Sequence, residues 1–147
     1  MPTVAWYLGA SGVTNLLWET AQLPFYSIWR TGSAGAKAFA LLHCTAGDVM
    51  IAGATLLVAV LLLGARMWPR ERYLPVAAVA IAAGLLYTVF SEWLNVYVRR
   101  SWAYDAAMPT LLVGGIPIGL APLAQWLVVP VIAFAIAWRA TLRNTGR

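Results

Sequence analysis

Three carboxylates sit where hydrocarbon is expected to surround the chain. Glu19, Asp48 and Glu92 each fall inside a long apolar stretch. A carboxylate at mid-bilayer costs roughly 2.5–3.5 kcal/mol on insertion scales, so such groups turn toward a bundle interior or a water-filled cavity. The single histidine, His43, lies five residues before Asp48, with Cys44 beside it. Carboxyls held in a poorly polar site next to an imidazole are the tools of general acid/base catalysis. Glu19, Asp48, His43 and Glu92 are therefore the expected catalytic set. Asn15, Trp18, Gln22, Asn95, Arg99, Trp102, Tyr104 and Gln125 are the expected substrate-binding groups.

Each of these residues also has a plainer reading. Glu19 can be a structural carboxyl bonded to a neighbouring helix, and Asp48 can do the same or pair with His43. Glu92 can pair with Arg99 on its own helix or with Arg30 across the bundle. Gln22, Asn95 and Gln125 can serve as interhelical hydrogen-bond donors and acceptors. Trp18, Trp93, Trp126 and Cys44 can be packing groups. One histidine excludes a multi-histidine metal site and a pair of axial haem ligands. No lysine lies inside a span to carry a retinal Schiff base, and one cysteine permits no internal disulfide. No cofactor and no metal is expected. Gly114-Gly115-Ile116-Pro117-Ile118-Gly119 lacks the lysine and the strand–helix context of a phosphate loop.

The elements that position these groups follow from composition. The 147 residues suit one domain; 62% are hydrophobic, 10% are charged, and the mean hydropathy is +0.76. That is too little charge for a folded surface in water, where about 25% is usual. A soluble enzyme, a disordered chain and a secreted disulfide scaffold are excluded. The net charge of +5 comes from Lys and Arg in loops or at helix ends, so it points to headgroups and not to nucleic acid. Met1-Pro2-Thr3-Val4 lacks a basic leader region, so the first apolar segment is expected to remain as a signal anchor.

The expected fold is an all-α integral membrane protein, a four-transmembrane-helix bundle. A single membrane domain spans 1–147, with crossings at about 4–29, 38–64, 74–98 and 121–138. The last can begin as early as Leu111, and Pro117, Pro122 and Pro130 predict a kinked or broken helix. No stretch alternates like a strand. Arg66, Arg70, Arg72, Arg139, Arg143 and Arg147 lie on one side; Arg30, Lys37, Arg99 and Arg100 lie on the other. That excess places both termini in the cytoplasm and the protein in a bacterial inner membrane.

Helix direction alternates, so depth can be compared. At 1.5 Å per residue, Glu19 and Asp48 lie about 15 Å below the outer surface, Glu92 about 9 Å and Asn95 about 5 Å. Gln125 falls at a similar depth if its helix starts near Ala121. The other half, Ile51–Leu63 and Val76–Leu86, is nearly all aliphatic. Asn15, Trp18, Glu19 and Gln22 form one stripe, and Thr88, Ser91, Glu92, Asn95 and Arg99 form another. Polar groups from four helices thus converge on one cavity in the outer half of the bilayer. The link Arg99–Pro122 is long and carries Trp102, Tyr104, Met108, Leu111 and Leu112, so it is expected to lie partly in the membrane over the cavity mouth. Arg99, Arg100 and Asp105 could hold a polar headgroup there.

Three functions fit. The first is a membrane-embedded enzyme that isomerises, cyclises or hydrates an apolar lipid or isoprenoid by proton transfer. The second is an accessory or assembly subunit of a membrane complex. The third is a proton-coupled small-solute carrier, which with four helices would need a homo-oligomer. The expected partners are membrane lipids and an apolar or amphiphilic small molecule.

Overall fold

The computed structural model describes residues 2–145. It is mostly helical: α1 (Pro2–Gln22), α2 (Ile28–Thr31), α3 (Ala34–Leu63), α4 (Tyr73–Glu92) and α5 (Leu120–Thr145), with a hairpin of β1 (Thr110–Val113) and β2 (Ile116–Gly119) before α5. Three helical stretches are long and apolar enough to cross a membrane: Ala34–Leu63, Tyr73–Val98 and Leu120–Arg143. The long helices pack in a ring, with α1 against α5 and α3, and α4 against α3 and α5.

α1 is built inside out relative to a helix in water. Its buried stripe is Ser11, Asn15, Glu19 and Gln22, while Val13, Leu16 and Leu17 are exposed. The spacing of four, four and three keeps one face inward. An apolar exterior around a polar interior is the arrangement that a lipid solvent favours. α3 and α4 also turn large apolar side chains outward, with Leu57, Leu61, Leu62, Leu86 and Phe90 exposed.

Several element ends differ from the sequence expectation. α1 stops at Gln22 instead of continuing to Trp29, because Pro24 enters a 3₁₀ turn over Leu23–Phe25. Proline disfavours helical backbone in the residue before it. α3 starts at Ala34 instead of residue 38, because the Ser33 side chain caps it by accepting from the Ala36 N–H at 3.2 Å. It ends at Gly64 in the left-handed conformation, φ 61°, with the Ala65 N–H bonded back to Val60 O. The last turn of α4 widens into π-helix over Trp93–Val98. α5 starts at Leu120 and runs unbroken through Pro130, so no broken last helix forms; Pro117 lies in β2.

The link before α5 corrects the expectation that no strand is present. β1 and β2 pair antiparallel, with Thr110 opposite Gly119 and Val113 opposite Ile116. Gly114 and Gly115 make the two-residue turn at φ 57° and 84°. Both central positions need positive φ, which glycine adopts without strain. The pair that is no phosphate loop is therefore a hairpin turn. Leu111 and Leu112 are exposed, and the Tyr97 hydroxyl donates to Pro117 O, tying the hairpin to the end of α4.

The core holds Tyr7, Leu56, Ala59, Val76, Ala80, Trp126, Ala133, Phe134 and Ala137. Tyr7 and Phe134 rings lie 4.6 Å apart at the end remote from the buried acids. Nearer those acids, the Trp126 indole occupies the space a side chain at Gly84 would take. Gly84→Val should therefore lower thermal stability by about 1–3 kcal/mol, the usual range for overpacking. Unfolding in detergent, followed by tryptophan fluorescence, measures it; a Gly84→Val protein as stable as the parent would unseat Trp126 from this contact.

Candidate functional site

The C-terminal ends of α1 and α4 and the N-terminal ends of α3 and α5 enclose a cavity of about 760 Å³. α1 contributes Glu19 and Gln22, and α3 contributes His43, Cys44 and Asp48. Thr88, Ser91, Glu92, Asn95 and Arg99 come from α4 and its π-helical end, and Gln125 and Trp126 from α5. Apolar wall is supplied by Leu23, Ile28, Phe39 and Ile51. This size suits a small organic ligand.

Gln125 is the hub. Its amide nitrogen lies 2.9 Å from Asn15 Oδ1, 2.9 Å from Asp48 Oδ2 and 3.0 Å from Glu19 Oε1. Gln22 Nε2 donates to Glu19 Oε1 at 2.7 Å and to Gln125 Oε1 at 3.1 Å. Asn15, Glu19, Gln22 and Gln125 are all buried. A primary amide has two hydrogens, so Gln125 cannot serve three acceptors at once. Glu19 Oε1 and Asp48 Oδ2 thus converge on this one nitrogen, which brings the two carboxyls close together. A proton held by one of the carboxyls would supply the donor that the amide lacks. The helices thus bring together two carboxyls that one proton can bridge.

Glu92 forms a second centre in the same cavity. Its Oε2 accepts from the Tyr104 hydroxyl at 2.6 Å and from the Tyr26 hydroxyl at 3.4 Å. Neither Arg99 nor Arg30 takes the role expected of it: Arg30 pairs instead with Asp105 at 2.6 Å. Tyr104 is fixed from behind by the Gly119 N–H at 2.9 Å, where a side chain on Gly119 would press on the phenol ring. Burial and the adjacent Glu92 carboxylate hold the Tyr104 hydroxyl well above its ordinary titration range, so it remains a donor. Tyr26 and Tyr104 reach Glu92 because the α1–α3 and α4–α5 links are sewn together. Ser27 N–H donates to Ala103 O at 2.9 Å, and Asp105 N–H donates to Phe25 O at 2.8 Å. Asp105 is held below the usual carboxylate range by the Ala107 N–H and by Arg30, and its ion pair is with Arg30 and not with Arg99 or Arg100.

The remaining expected residues separate. His43 lines the cavity but is exposed, stacked on Phe39 with ring centroids 5.4 Å apart. It has no hydrogen bond to Asp48 among the described residues, because its angular position on α3 is far from that of Asp48, whose Oδ2 accepts from Gln125. Trp18 does not line the cavity; its Nε1 donates to Ala121 O at 3.2 Å and pins α1 to the start of α5. Asn15 stands behind the carboxyl pair, and Asn95 bonds back to Ser91 O at 2.9 Å while facing the cavity. Arg99 and Trp102 line the mouth. Tyr26 was not singled out as a site residue, since in sequence it reads only as an interface aromatic.

Among the described residues, no group of three or more His, Cys, Asp or Glu is placed to hold a metal ion. The acids are bridged by amides and phenols, a donor set suited to holding and passing protons. Comparison with protein-family models, with curated proteins and with solved structures finds no match for this chain.

Proposed function

We propose that the protein is a membrane-embedded enzyme that moves protons on an apolar or amphiphilic lipid held in the outer cavity. The observation that carries this reading is the Glu19–Asp48 pair sharing the Gln125 amide inside a ligand-sized cavity. One carboxyl of such a pair can give a proton while the other takes one, which is what isomerisation, cyclisation or hydration of an isoprenoid-like chain requires. Glu92, held by two phenols, is a third group able to exchange protons on the opposite wall. No redox partner is needed.

The same reading makes α1 the fourth crossing. Its hydropathy is lowered by Ser11, Asn15, Glu19 and Gln22, which turn inward, while Val13, Leu16 and Leu17 face outward and the exposed Thr20 hydroxyl is bonded back to Leu16 O. Both termini then lie in the cytoplasm, and the carboxyl cavity opens toward the periplasmic side of a bacterial inner membrane. Fusing a reporter that is active only in the periplasm to the C-terminus should give no signal; activity there would invert the topology and leave the cavity intact.

Chemistry is tested by isotope. The purified protein in lipid nanodiscs is incubated in heavy water with a lipid extract of its own host. Carbon-bound deuterium should accumulate in one apolar lipid, because the exchanging carboxyls deliver solvent hydrogen to carbon. No incorporation in any lipid would reject acid/base chemistry and leave an accessory subunit or a proton-coupled carrier.

A further inference from the structure

The polar cavity continues sideways. An apolar groove of about 430 Å³ runs between α3 and α4, lined by Met50, Ala54, Thr55, Val58 and Ala83, with Gly47, Ile51 and Tyr87. The last three also line the cavity, so the two spaces meet at a neck. From Gly47 to Val58 the groove follows α3 for about 16 Å, away from the acids and into the aliphatic half of the bundle. Its one hydroxyl on α3, Thr55, is turned back onto Ala52 O at 3.2 Å. Met50 and Val58 are exposed on the outer face of the bundle, so the groove opens toward the lipid tails.

The cavity end carries an unmet demand. Gln22 is 4% exposed and lines the cavity, yet its Oε1 has no hydrogen-bond partner. Both hydrogens of its amide are committed to Glu19 and Gln125. A buried carbonyl left unpaired calls for a donor from elsewhere.

We propose that the cavity is filled from the lipid phase, through the α3–α4 groove, by a single-chain amphiphile. Its polar end donates a hydrogen bond to Gln22 beside the carboxyl pair, and its chain lies along Met50, Ala54 and Val58. Bilayer tails are as apolar as the groove, so the chain itself gains little by moving there. Affinity comes from the polar end, and the groove supplies access and orientation. A reactive carbon near the polar end is thereby set against Glu19 and Asp48. This rests on reading the cavity as a substrate site.

The test uses binding without turnover. A long-chain fatty alcohol with a diazirine at its chain terminus is photolysed with the protein in nanodiscs, and labelled residues are mapped by mass spectrometry. Label should concentrate on Met50, Ala54, Val58 and Ala83. A Cβ added at Gly47 meets no atom within 4 Å, so the Gly47→Phe side chain starts into open space at the neck, and thermal unfolding of the variant checks that the bundle is intact. It should cut groove labelling by about tenfold or more, the scale of one lost binding contact region. Leu61→Phe, on the exposed face of the same helix, should change nothing. Label spread evenly over the lipid-facing residues and indifferent to Gly47→Phe would overturn the proposal, even if deuterium incorporation still establishes the enzyme. Groove labelling without any deuterium incorporation would support the lipid route and reject the chemistry.

Discussion

Glu19→Gln should leave the protein folded and abolish its lipid chemistry. The substituted side chain keeps the shape of the carboxyl, and its carbonyl can still accept from Gln22 and Gln125. Its new amide can donate to Asp48 in place of a proton shared by the two carboxyls. The stability cost should be near or below about 1 kcal/mol, the usual net worth of one hydrogen bond. An amide cannot cycle a proton, so deuterium incorporation should fall by roughly 10²–10⁴-fold, the range for losing one general acid or base. Asp48→Asn should behave alike. The double variant should be little worse than either single one, because groups that act as a unit lose their effect together. Thermal unfolding in detergent and the heavy-water assay are measured on the same preparations. A Glu19→Gln protein that is stable and still incorporates deuterium at the parent rate would remove the carboxyl pair from any chemical role.

The meeting of Glu19, Asp48 and Gln125 was legible because two simple constraints act on the sequence. Polar residues in a span must turn inward, and adjacent antiparallel helices place equal depths side by side. Ser11, Asn15, Glu19 and Gln22 obey the first through their spacing on α1. The second needs only helix direction, so it tolerates errors in helix ends. It had to do so: α1 stops at Gln22 and α3 starts at Ala34, which alters the computed depths of both acids. The partners of Glu92 were harder. Tyr26 and Tyr104 are 78 residues apart in the chain and meet only because one isolated bridge joins the α1–α3 and α4–α5 links. Such a pairing leaves no periodic trace.

The hairpin was hidden for a different reason. Thr110–Val113 and Ile116–Gly119 are mostly apolar on both faces, so they do not alternate, and Pro117 argues against a strand. The visible signal was Gly114-Gly115 itself, a two-residue turn pair between apolar runs. His43 shows the limit of depth as a guide. It lies near the acids along α3, yet it projects onto Phe39, because its angular position on the helix is far from that of Asp48. Depth sets which residues can share a layer; helical angle decides which of them touch.

Gln125→Leu should be among the most destabilising single changes in the protein. Its amide nitrogen stands within reach of Asn15, Asp48 and Glu19, two of which it can serve at a time, and its carbonyl accepts from Gln22. Leucine removes these contacts and leaves the partners buried. Each unpaired group costs about 1–3 kcal/mol in a dry interior. Interhelical polar contacts in membranes average nearer 0.6 kcal/mol, because displaced groups find other partners. Water entering the adjoining cavity gives the acids such partners, so the expected loss is about 2–4 kcal/mol in total. The decisive measurement is a double-mutant cycle in reversible detergent unfolding. In the Gln125→Leu background Asp48 lacks an amide donor, and Glu19→Gln places one beside it. The second change should therefore recover stability there although it is slightly costly in the parent, a coupling of about 0.5–3 kcal/mol as expected for residues in one network. Additive losses within about 0.5 kcal/mol would mean that Glu19 and Gln125 do not share their contact with Asp48. The carboxyl pair would then be two separate acids, and the proton bridge on which the chemistry depends would have no structural basis.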